Sequence, residues 1–303
     1  TVENVYEVPL ILEDRGLGDL LAKALDFPDY SRDMTEWAHM VGRMKEPKSS
    51  VSIAIVGKYV EMPDAYISVK EAIRHAALYY GRDIDIQWIH SEDVDRMGPE
   101  SLLKSACGIV VPGGFGPRGI EGMIETARYA RENDIPYLGL CLGMQVMVVD
   151  YARHKLHLTG ANSSEIDPST IHPVIDILPE QRSLVEMGGT MRLGLYPCRL
   201  IKGTRAQEAY AQSEVMERHR HRFEFNNTYR EALQDEGMLA SGVSPDGNLV
   251  EIVEVVNNAF MVGVQFHPEF LSRPSRPHPL FREFFGQAQL TLREGGQHAL
   301  MPE

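Results

Sequence analysis

From residue 51 onward, apolar stretches of two different periods alternate along the chain, and this alternation constrains the fold more than any other feature. Continuous apolar runs typical of buried strands occur at 51–56, 84–89, 107–111 and 135–140. Apolar residues at helical spacing lie between them, over 66–80 and 120–127. Parallel strands need a crossover connection, which is usually a helix. The pattern therefore predicts an α/β fold: a mostly parallel central sheet with helices on both faces.

The second half of the chain is richer in strand patterns. Four stretches are predicted as strands: 190–200, 238–242, 249–256 and 260–265. Asn257 and Asn258 separate the last two and are consistent with a hairpin turn. Helical patterns over 227–234 and 280–290 complete a domain that we bound at residues 48–292. The Gly-rich stretch 293–303 is predicted to be a flexible tail.

Residues 1–47 differ from the rest of the chain. Leu17, Leu20 and Leu21 begin one helical pattern, and a second short helix is predicted over 35–44. Residues 46–50 have the composition of a linker. The segment has too few apolar residues to fold alone, so we expect it to pack on another part of the protein.

Composition excludes several classes of function. The net charge of −13 argues against nucleic acid and anionic membranes as partners, and no apolar run is long enough to cross a bilayer. The three cysteines include no C-x-x-C pair, which favours a reducing compartment over disulfides or zinc. His219 and His221 alternate with arginines that would repel a cation, so no metal site is expected. We predict a soluble, cytoplasmic protein.

A motif for a nucleophile follows the strand predicted at 135–140. In Gly139-Leu140-Cys141-Leu142-Gly143, the cysteine stands at a strand-to-helix turn with glycine two positions to either side. This G-x-nucleophile-x-G elbow puts the sulfur at a helix N-terminus, where the helix dipole favours the reactive thiolate. The alternative is a buried structural cysteine.

A candidate base and its orienting group follow the strand predicted at 260–265. In an extended chain, His267 and Glu269 would point the same way, with Pro268 stiffening the link. The carboxylate could then hold one imidazole nitrogen while the other faces a thiolate. A surface His-Pro-Glu without function is the competing interpretation.

The Gly-rich loop at 112–119 exposes backbone N–H groups after a third strand. It lacks the Lys-Ser or Lys-Thr of a phosphate-binding P-loop, and its spacing does not fit a dinucleotide site. Because the elbow follows the next strand, we interpret the loop as an oxyanion hole, with the N–H of Leu142 as a second donor.

Together these motifs resemble those of class I glutamine amidotransferases, whose fold is flavodoxin-like. Further blocks are similar to the CTP synthase family: 57–59 with 63–66, 111–119, 161–165, 187–194 and 217–223. The similarity extends from Val51 to about Phe285. Residues 1–47 resemble the end of that family's synthetase domain and its linker. Ser164 stands where a Thr is expected, which keeps the hydroxyl.

The resemblance implies a role for each matching residue. Cys141 would be the nucleophile, His267 the base and Glu269 its orienter, with the N–H groups of Gly114 and Leu142 as oxyanion donors. Glutamine would be bound by Gly113, Gly114, Phe115, Leu142, Gln145, Glu165 and Arg222. Arg118 resembles the residue associated with GTP, the family's allosteric activator.

The resemblance also implies partners. In the whole enzyme, ammonia from L-glutamine passes to a synthetase domain that uses ATP and Mg²⁺ to convert UTP to CTP, and the enzyme is a homotetramer. That domain is expected to lie outside these 303 residues, so no cofactor is expected within the chain. The alternatives are the glutaminase subunit of another amidotransferase, a γ-glutamyl peptidase and a non-catalytic binding module.

Overall fold

The computed structural model describes residues 2, 4–27, 32–177 and 191–291, and within them one nine-stranded sheet organises the chain. Across the sheet the strands are β2 (Asp83–His90), β1 (Ser50–Gly57), β3 (Gly108–Val111), β4 (Tyr137–Leu140), β12 (Met261–Val264), β11 (Val250–Val255), β10 (Met238–Val243), β7 (Arg192–Leu200) and β8 (Glu214–His221). The first five are parallel, and the last four extend them through antiparallel pairs. The predicted α/β fold with a strand-rich C-terminal part is confirmed. The predicted hairpin between β11 and β12 also forms. The tail predicted at 293–303 lies outside the described residues.

Helices cover both faces of the sheet, as predicted. Between residues 48 and 291, apart from 178–190, the structure describes the α-helices α4 (Ile67–Tyr79), α5 (Ser91–Met97), α6 (Pro99–Leu103), α7 (Ile120–Glu132), α8 (Leu142–His154), α9 (Arg205–Tyr210), α10 (Arg230–Asp235) and α11 (Pro279–Leu290). Side chains of a strand alternate between its two faces. Accordingly Ile53 and Ile55 pack in the core beneath α4 and α11, while Ala54 and Val56 pack in the core beneath α7 and α8.

A small second sheet lies beside α8. Its strands are β5 (Asn162–Ser163), β6 (Pro173–Asp176) and β9 (Glu224–Phe225). Ala161, Val174 and Phe225 join the core on the α8 side. This sheet brings the chain just after β5 close to the chain just before β9, although the two are about sixty residues apart in sequence.

The described residues of the N-terminal segment include the α-helices α1 (Val8–Asp14), α2 (Leu17–Ala24) and α3 (Thr35–Lys45). The last two agree with the sequence prediction, whereas α1 was not anticipated. Met40 and Val41 of α3 are buried against Leu78 of α4. The hydroxyl of Tyr6 donates to Glu71 at 2.7 Å and lies 2.7 Å from Nε2 of His75. The segment is therefore anchored on α4, as expected of a segment that cannot fold alone.

Strand β8 was also missing from the sequence prediction. Its side chains alternate strictly between exposed and buried, but the buried positions include Glu217, His219 and His221. An apolar period is absent because polar side chains fill the inner face. Among the described residues, no helix is long and apolar enough to span a membrane.

Candidate active site

The strand-to-helix turn at Cys141 has the geometry of a nucleophile elbow. Cys141 has φ 53° and ψ −100°, a strained conformation for a residue with a side chain. A Cβ on Gly143 would lie 2.0 Å from the carbonyl oxygen of Val111, and one on Gly139 would lie 2.6 Å from the carbonyl of Gly143. Both positions therefore require glycine, as the motif predicted.

The sulfur and the imidazole meet because β4 and β12 are parallel neighbours, so both carboxyl ends lie at one edge of the sheet. Leu140 is in register with Val264, and the N–H of Cys141 donates to the carbonyl of Val264 at 2.7 Å. Three residues later, the N–H of His267 donates to the carbonyl of Arg218 in β8 at 2.8 Å. His267 is thus fixed between β12 and β8, beside the elbow.

Nδ1 of His267 lies 2.8 Å from Oε1 of Glu269, as the predicted pair requires. The backbone that joins them is a 3₁₀ turn over Pro268–Phe270. The expected extended conformation was wrong, because Pro268 has the fixed φ suited to the first position of a helical turn. The turn still brings the two side chains together.

His267 is strongly basic in this setting. Burial acts to lower its pKa, but the hydrogen bonds to Cys141 and Glu269, and the negative charge of both, raise the pKa from 6.5 to about 10. At neutral pH the imidazole is therefore a cation.

The Gly-rich loop passes directly over the elbow. A Cβ on Gly113 would lie 3.0 Å from Cε1 of His267, and one on Gly114 would lie 3.3 Å from Cδ2 of Leu142. The backbone of the loop therefore lies close to the elbow and to His267, as an oxyanion hole requires.

Lys58, at the end of β1, holds this loop in place and was not predicted as a site residue. Its side chain is almost fully buried, and Nζ donates to the carbonyls of Phe115 (3.3 Å) and Gly116. Burial lowers the pKa of Lys58 to about 8; the carboxylate of Glu165 opposes this shift and the guanidinium of Arg118 adds to it. The only sequence signal for this role was its place in the block at 57–59.

One cavity of about 490 Å³ gathers most of the residues predicted to bind glutamine. Cys141 and Gly114 line it, together with the predicted residues Phe115, Gln145, Glu165 and Arg222. Burial raises the pKa of Glu165, while the N–H of Gly116 and the charges of Lys58 and Arg222 act in the opposite direction. The cavity thus has a carboxylate and a guanidinium among its lining groups, beside the sulfur.

Gly113 lines a second, smaller cavity of about 190 Å³. Cys141, His267 and Glu269 also line it, together with Tyr59 and Tyr66. The sulfur is therefore accessible from two cavities that share Gly114 and Phe115.

A buried polar network supports the wall formed by β8. Arg192 pairs with Glu251 at 2.8 Å and with Glu224 at 3.3 Å, and Nδ1 of His219 lies 2.9 Å from Nε2 of His221. Burial, followed by the charge of Arg192, lowers the pKa of His219 to about 2 and that of His221 to about 3. Both imidazoles are therefore neutral. Sequence reasoning had treated them only as unlikely metal ligands.

Arg118 lies apart from the cavity that contains Gln145 and Glu165. It donates to the carbonyl of Lys58 at 2.8 Å, pairs with Glu92 at 3.5 Å, and its side chain is 54% exposed. Its predicted link to GTP stays a prediction. Within the described ranges, no group of three or more His, Cys, Asp or Glu side chains could hold a metal ion.

Comparison with known proteins identifies the family. Residues 61–287 match the family profile described as glutamine amidotransferase class-I. The chain belongs to the class-I glutamine amidotransferases. A CTP synthase of Dehalococcoides mccartyi (strain BAV1) is 58% identical over 99% of this chain, and one of Roseiflexus castenholzii is 57% identical over 99%. The chain covers 55% and 54% of their lengths, so it spans about half of these curated relatives.

A solved structure of this amidotransferase family is similar as well. The glutaminase domain of Trypanosoma brucei CTP synthase, with bound acivicin, is 35% identical with a TM-score of 0.75. The match covers 83% of this chain and 98% of that one. These matches group the chain with the glutamine amidotransferase domains of CTP synthases and confirm the family predicted from the motifs.

Proposed function

We propose that this amidotransferase chain hydrolyses glutamine to glutamate and ammonia through Cys141, His267 and Glu269. The observation that supports this most directly is the meeting of three parts at one sheet edge. They are a strained cysteine at the N-terminus of α8, an imidazole that lines the same cavity as this cysteine, and a glycine loop against both. Each part alone has a structural explanation, but the combination suits attack on a carboxamide.

In the first half of the reaction, the thiolate of Cys141 attacks the side-chain carbonyl carbon of glutamine. Negative charge moves to the carbonyl oxygen, which the N–H groups of Gly114 and Leu142 stabilise. The C–N bond then breaks as the His267 cation gives its proton to the leaving nitrogen, which departs as ammonia. A thioester on Cys141 remains.

The second half releases glutamate. The now neutral His267 takes a proton from a water molecule, and the oxygen attacks the thioester carbon. The C–S bond breaks, and the cysteine leaves as thiolate beside a protonated imidazole. Glu269 holds the ring through Nδ1, so that Nε2 carries the transferred proton in both halves.

Charge complementarity supports the proposed orientation of the substrate. Glu165 would bind the α-ammonium and Arg222 the α-carboxylate, since each meets the opposite charge. Gln145 and Phe115 complete the cavity wall that contains them. A substrate oriented in this way directs its carboxamide to Cys141, which lines the same cavity.

The names and lengths of the relatives support a wider role. CTP synthases are about twice as long as this chain. We infer that ammonia passes to a synthetase domain that aminates UTP with ATP and Mg²⁺. GTP is inferred to activate glutamine hydrolysis near Arg118. Assembly as a tetramer and a cytoplasmic location are part of the same inference.

Ammonia release from free glutamine tests the proposal. We expect release by the wild-type chain and a fall of at least about 10³-fold in Cys141→Ala, because the nucleophile is lost. Cys107→Ala is the matched control, since Cys107 is also buried but lies in the core beneath α4 and α11. Equal rates for wild type and Cys141→Ala would refute the triad.

Two further measurements separate the alternatives. Faster hydrolysis of γ-glutamyl peptides than of free glutamine would favour a peptidase. Formation of CTP by this chain from UTP, ATP and glutamine would contradict the inferred division of labour between two domains. Ammonia release with and without GTP, measured for wild type and for Arg118→Ala, tests whether GTP activates the reaction near Arg118.

A further inference from the structure

The carboxamide of Gln265 contacts the nucleophile, and none of the roles described so far includes it. Gln265 follows β12 directly, is completely buried, and its N–H donates to the carbonyl of Glu251 at 2.8 Å. Its Nε2 lies 3.7 Å from Sγ of Cys141, within hydrogen-bond distance for sulfur. One strand end therefore supplies two groups to the sulfur, this amide and, two residues later, His267.

The neighbouring hydrogen bonds determine which way the amide points. Nε2 of Gln145 donates to the carbonyl of Phe223 and to Oε1 of Gln265, both at 3.2 Å. If the amide of Gln265 were flipped, its N–H groups would face the N–H donor of Gln145. The oxygen of Gln265 therefore faces Gln145, and its N–H faces the sulfur. The same contacts occupy both N–H groups of Gln145. Its own oxygen remains for a ligand in the cavity, where it can accept from an ammonium group.

We propose that Gln265 is a positioning residue that links the nucleophile to the glutamine cavity. Its N–H orients the Cys141 sulfur and stabilises negative charge on it, and its oxygen fixes the rotamer and polarity of Gln145. The inference rests on the proposed function, because it assigns Gln145 to substrate and Cys141 to chemistry. A neutral donor in a fully buried position suits this task, since it stabilises a thiolate without neutralising it.

Two substitutions separate the two contacts. Gln265→Met keeps the approximate volume and removes both hydrogen bonds. Gln265→Glu keeps an acceptor for Gln145 but replaces the N–H donor with a like charge. The first readout is the pH dependence of iodoacetamide alkylation at Cys141, followed by mass spectrometry, because alkylation reports the thiolate directly. The second is the KM and kcat of ammonia release.

We expect the alkylation midpoint of Cys141 to rise by about one pH unit or more in both variants. The KM for glutamine should rise about tenfold in Gln265→Met, which releases Gln145, but stay within about threefold in Gln265→Glu. The kcat should fall about 10- to 100-fold in both. The other charged or titratable groups around the two cavities are unchanged in both variants: His267, Glu269, Glu165, Arg220, Arg222 and the neutral His221.

Gln87→Met is the matched control. Gln87 also makes two side-chain hydrogen bonds, to Ser52 and Ser105, but lies in β2 at the far edge of the sheet. In Gln87→Met, the alkylation midpoint of Cys141 and the kinetics of ammonia release should equal those of wild type. Midpoints within about 0.3 unit of wild type in both Gln265 variants, with melting temperatures showing folded protein, would overturn the proposal. A wild-type chain that released no ammonia would instead count against the proposed function, and the midpoints would still decide the role of Gln265.

Discussion

The raised pKa of His267 makes the stability of the fold depend on pH. A histidine titrates near 6.5 in the unfolded chain, whereas in the fold burial is outweighed by the contacts with Cys141 and Glu269, and the pKa is about 10. Folding therefore favours the protonated ring. Its contribution is complete below pH 6.5 and is lost as the pH rises through about 10.

Between pH 6 and pH 10 we expect the free energy of unfolding of wild type to fall. This fall should exceed that of Glu269→Gln by on the order of 1–4 kcal/mol. The variant lacks the carboxylate that helps to raise the pKa. Urea denaturation at pH 6, 8 and 10 measures the difference. Glu283→Gln, on the outer face of α11, should behave as wild type. If the unfolding free energies of wild type and Glu269→Gln changed with pH in parallel, Glu269 would not be a cause of the raised pKa of His267.

Gly143 is a second residue whose effect can be predicted from geometry. A methyl group there would lie 2.0 Å from the carbonyl oxygen of Val111, so β3 or the elbow must move. Gly143→Ala should therefore destabilise the protein by more than about 3 kcal/mol in calorimetry. Gly42→Ala is the contrasting change, because Gly42 lies in α3 with nothing within 4 Å of its Cβ position. It should stabilise by about 0.5–1 kcal/mol. Similar melting temperatures for the two variants would show that the elbow is not tightly packed.

Among the structural elements, those with an apolar period were predictable from sequence and those without one were not. β1 and β4 are continuous apolar runs, and the elbow between β4 and α8 has a glycine pattern that only a tight turn requires. β8 was missed because its inner face contains Glu217 and two histidines, which are paired only in the folded protein. The contact of Gln265 with Cys141 was beyond sequence reasoning as well, because it joins residues 124 positions apart.

A buried ion pair links α7 to α8. Nε and Nη2 of Arg131 donate to the carboxylate of Asp150 at 2.8 and 3.1 Å, and Asp150 is completely buried. Arg131→Met would leave a buried carboxylate without its main partner and should cost about 3–5 kcal/mol of unfolding free energy. Arg128→Met removes a pair on the exposed side of α7, with Glu132, and should cost less than about 1 kcal/mol. Urea denaturation at pH 7 compares the two. Equal losses would mean that the packing of α7 does not need the pair.

At the scale of the whole molecule, the N-terminal segment leaves an apolar surface uncovered. In and just after α2, Leu20, Leu21 and Leu25 are 63%, 47% and 60% exposed, although α3 and Tyr6 anchor the segment on α4. Adjacent exposed leucines are typical of a surface that another domain covers. The assignment of residues 1–47 to the end of a synthetase domain stays a prediction.

We expect the isolated chain to self-associate through this surface at high concentration, because exposed apolar area favours association. The double variant Leu20→Ser with Leu25→Ser should be more monomeric in sedimentation velocity, with an unchanged rate of ammonia release. Ile171→Ser is the control, since Ile171 is 78% exposed but lies outside this surface. Unchanged association in the double variant would mean that the leucines are not the contact.

The backbone pairing of β4 with β12 fixes the two reacting side chains relative to each other, even if the segments around them change. The sulfur and the imidazole are each attached to the end of a central strand, and the ladder between Leu140 and Val264 sets their separation. Phe115 and Glu165, which are among the residues proposed to bind glutamine, lie instead on connections between elements of secondary structure. Those connections can lengthen, shorten or acquire new partners while the reacting atoms keep their spacing. The ends of two central strands can therefore stay fixed relative to each other while the segments around them diverge.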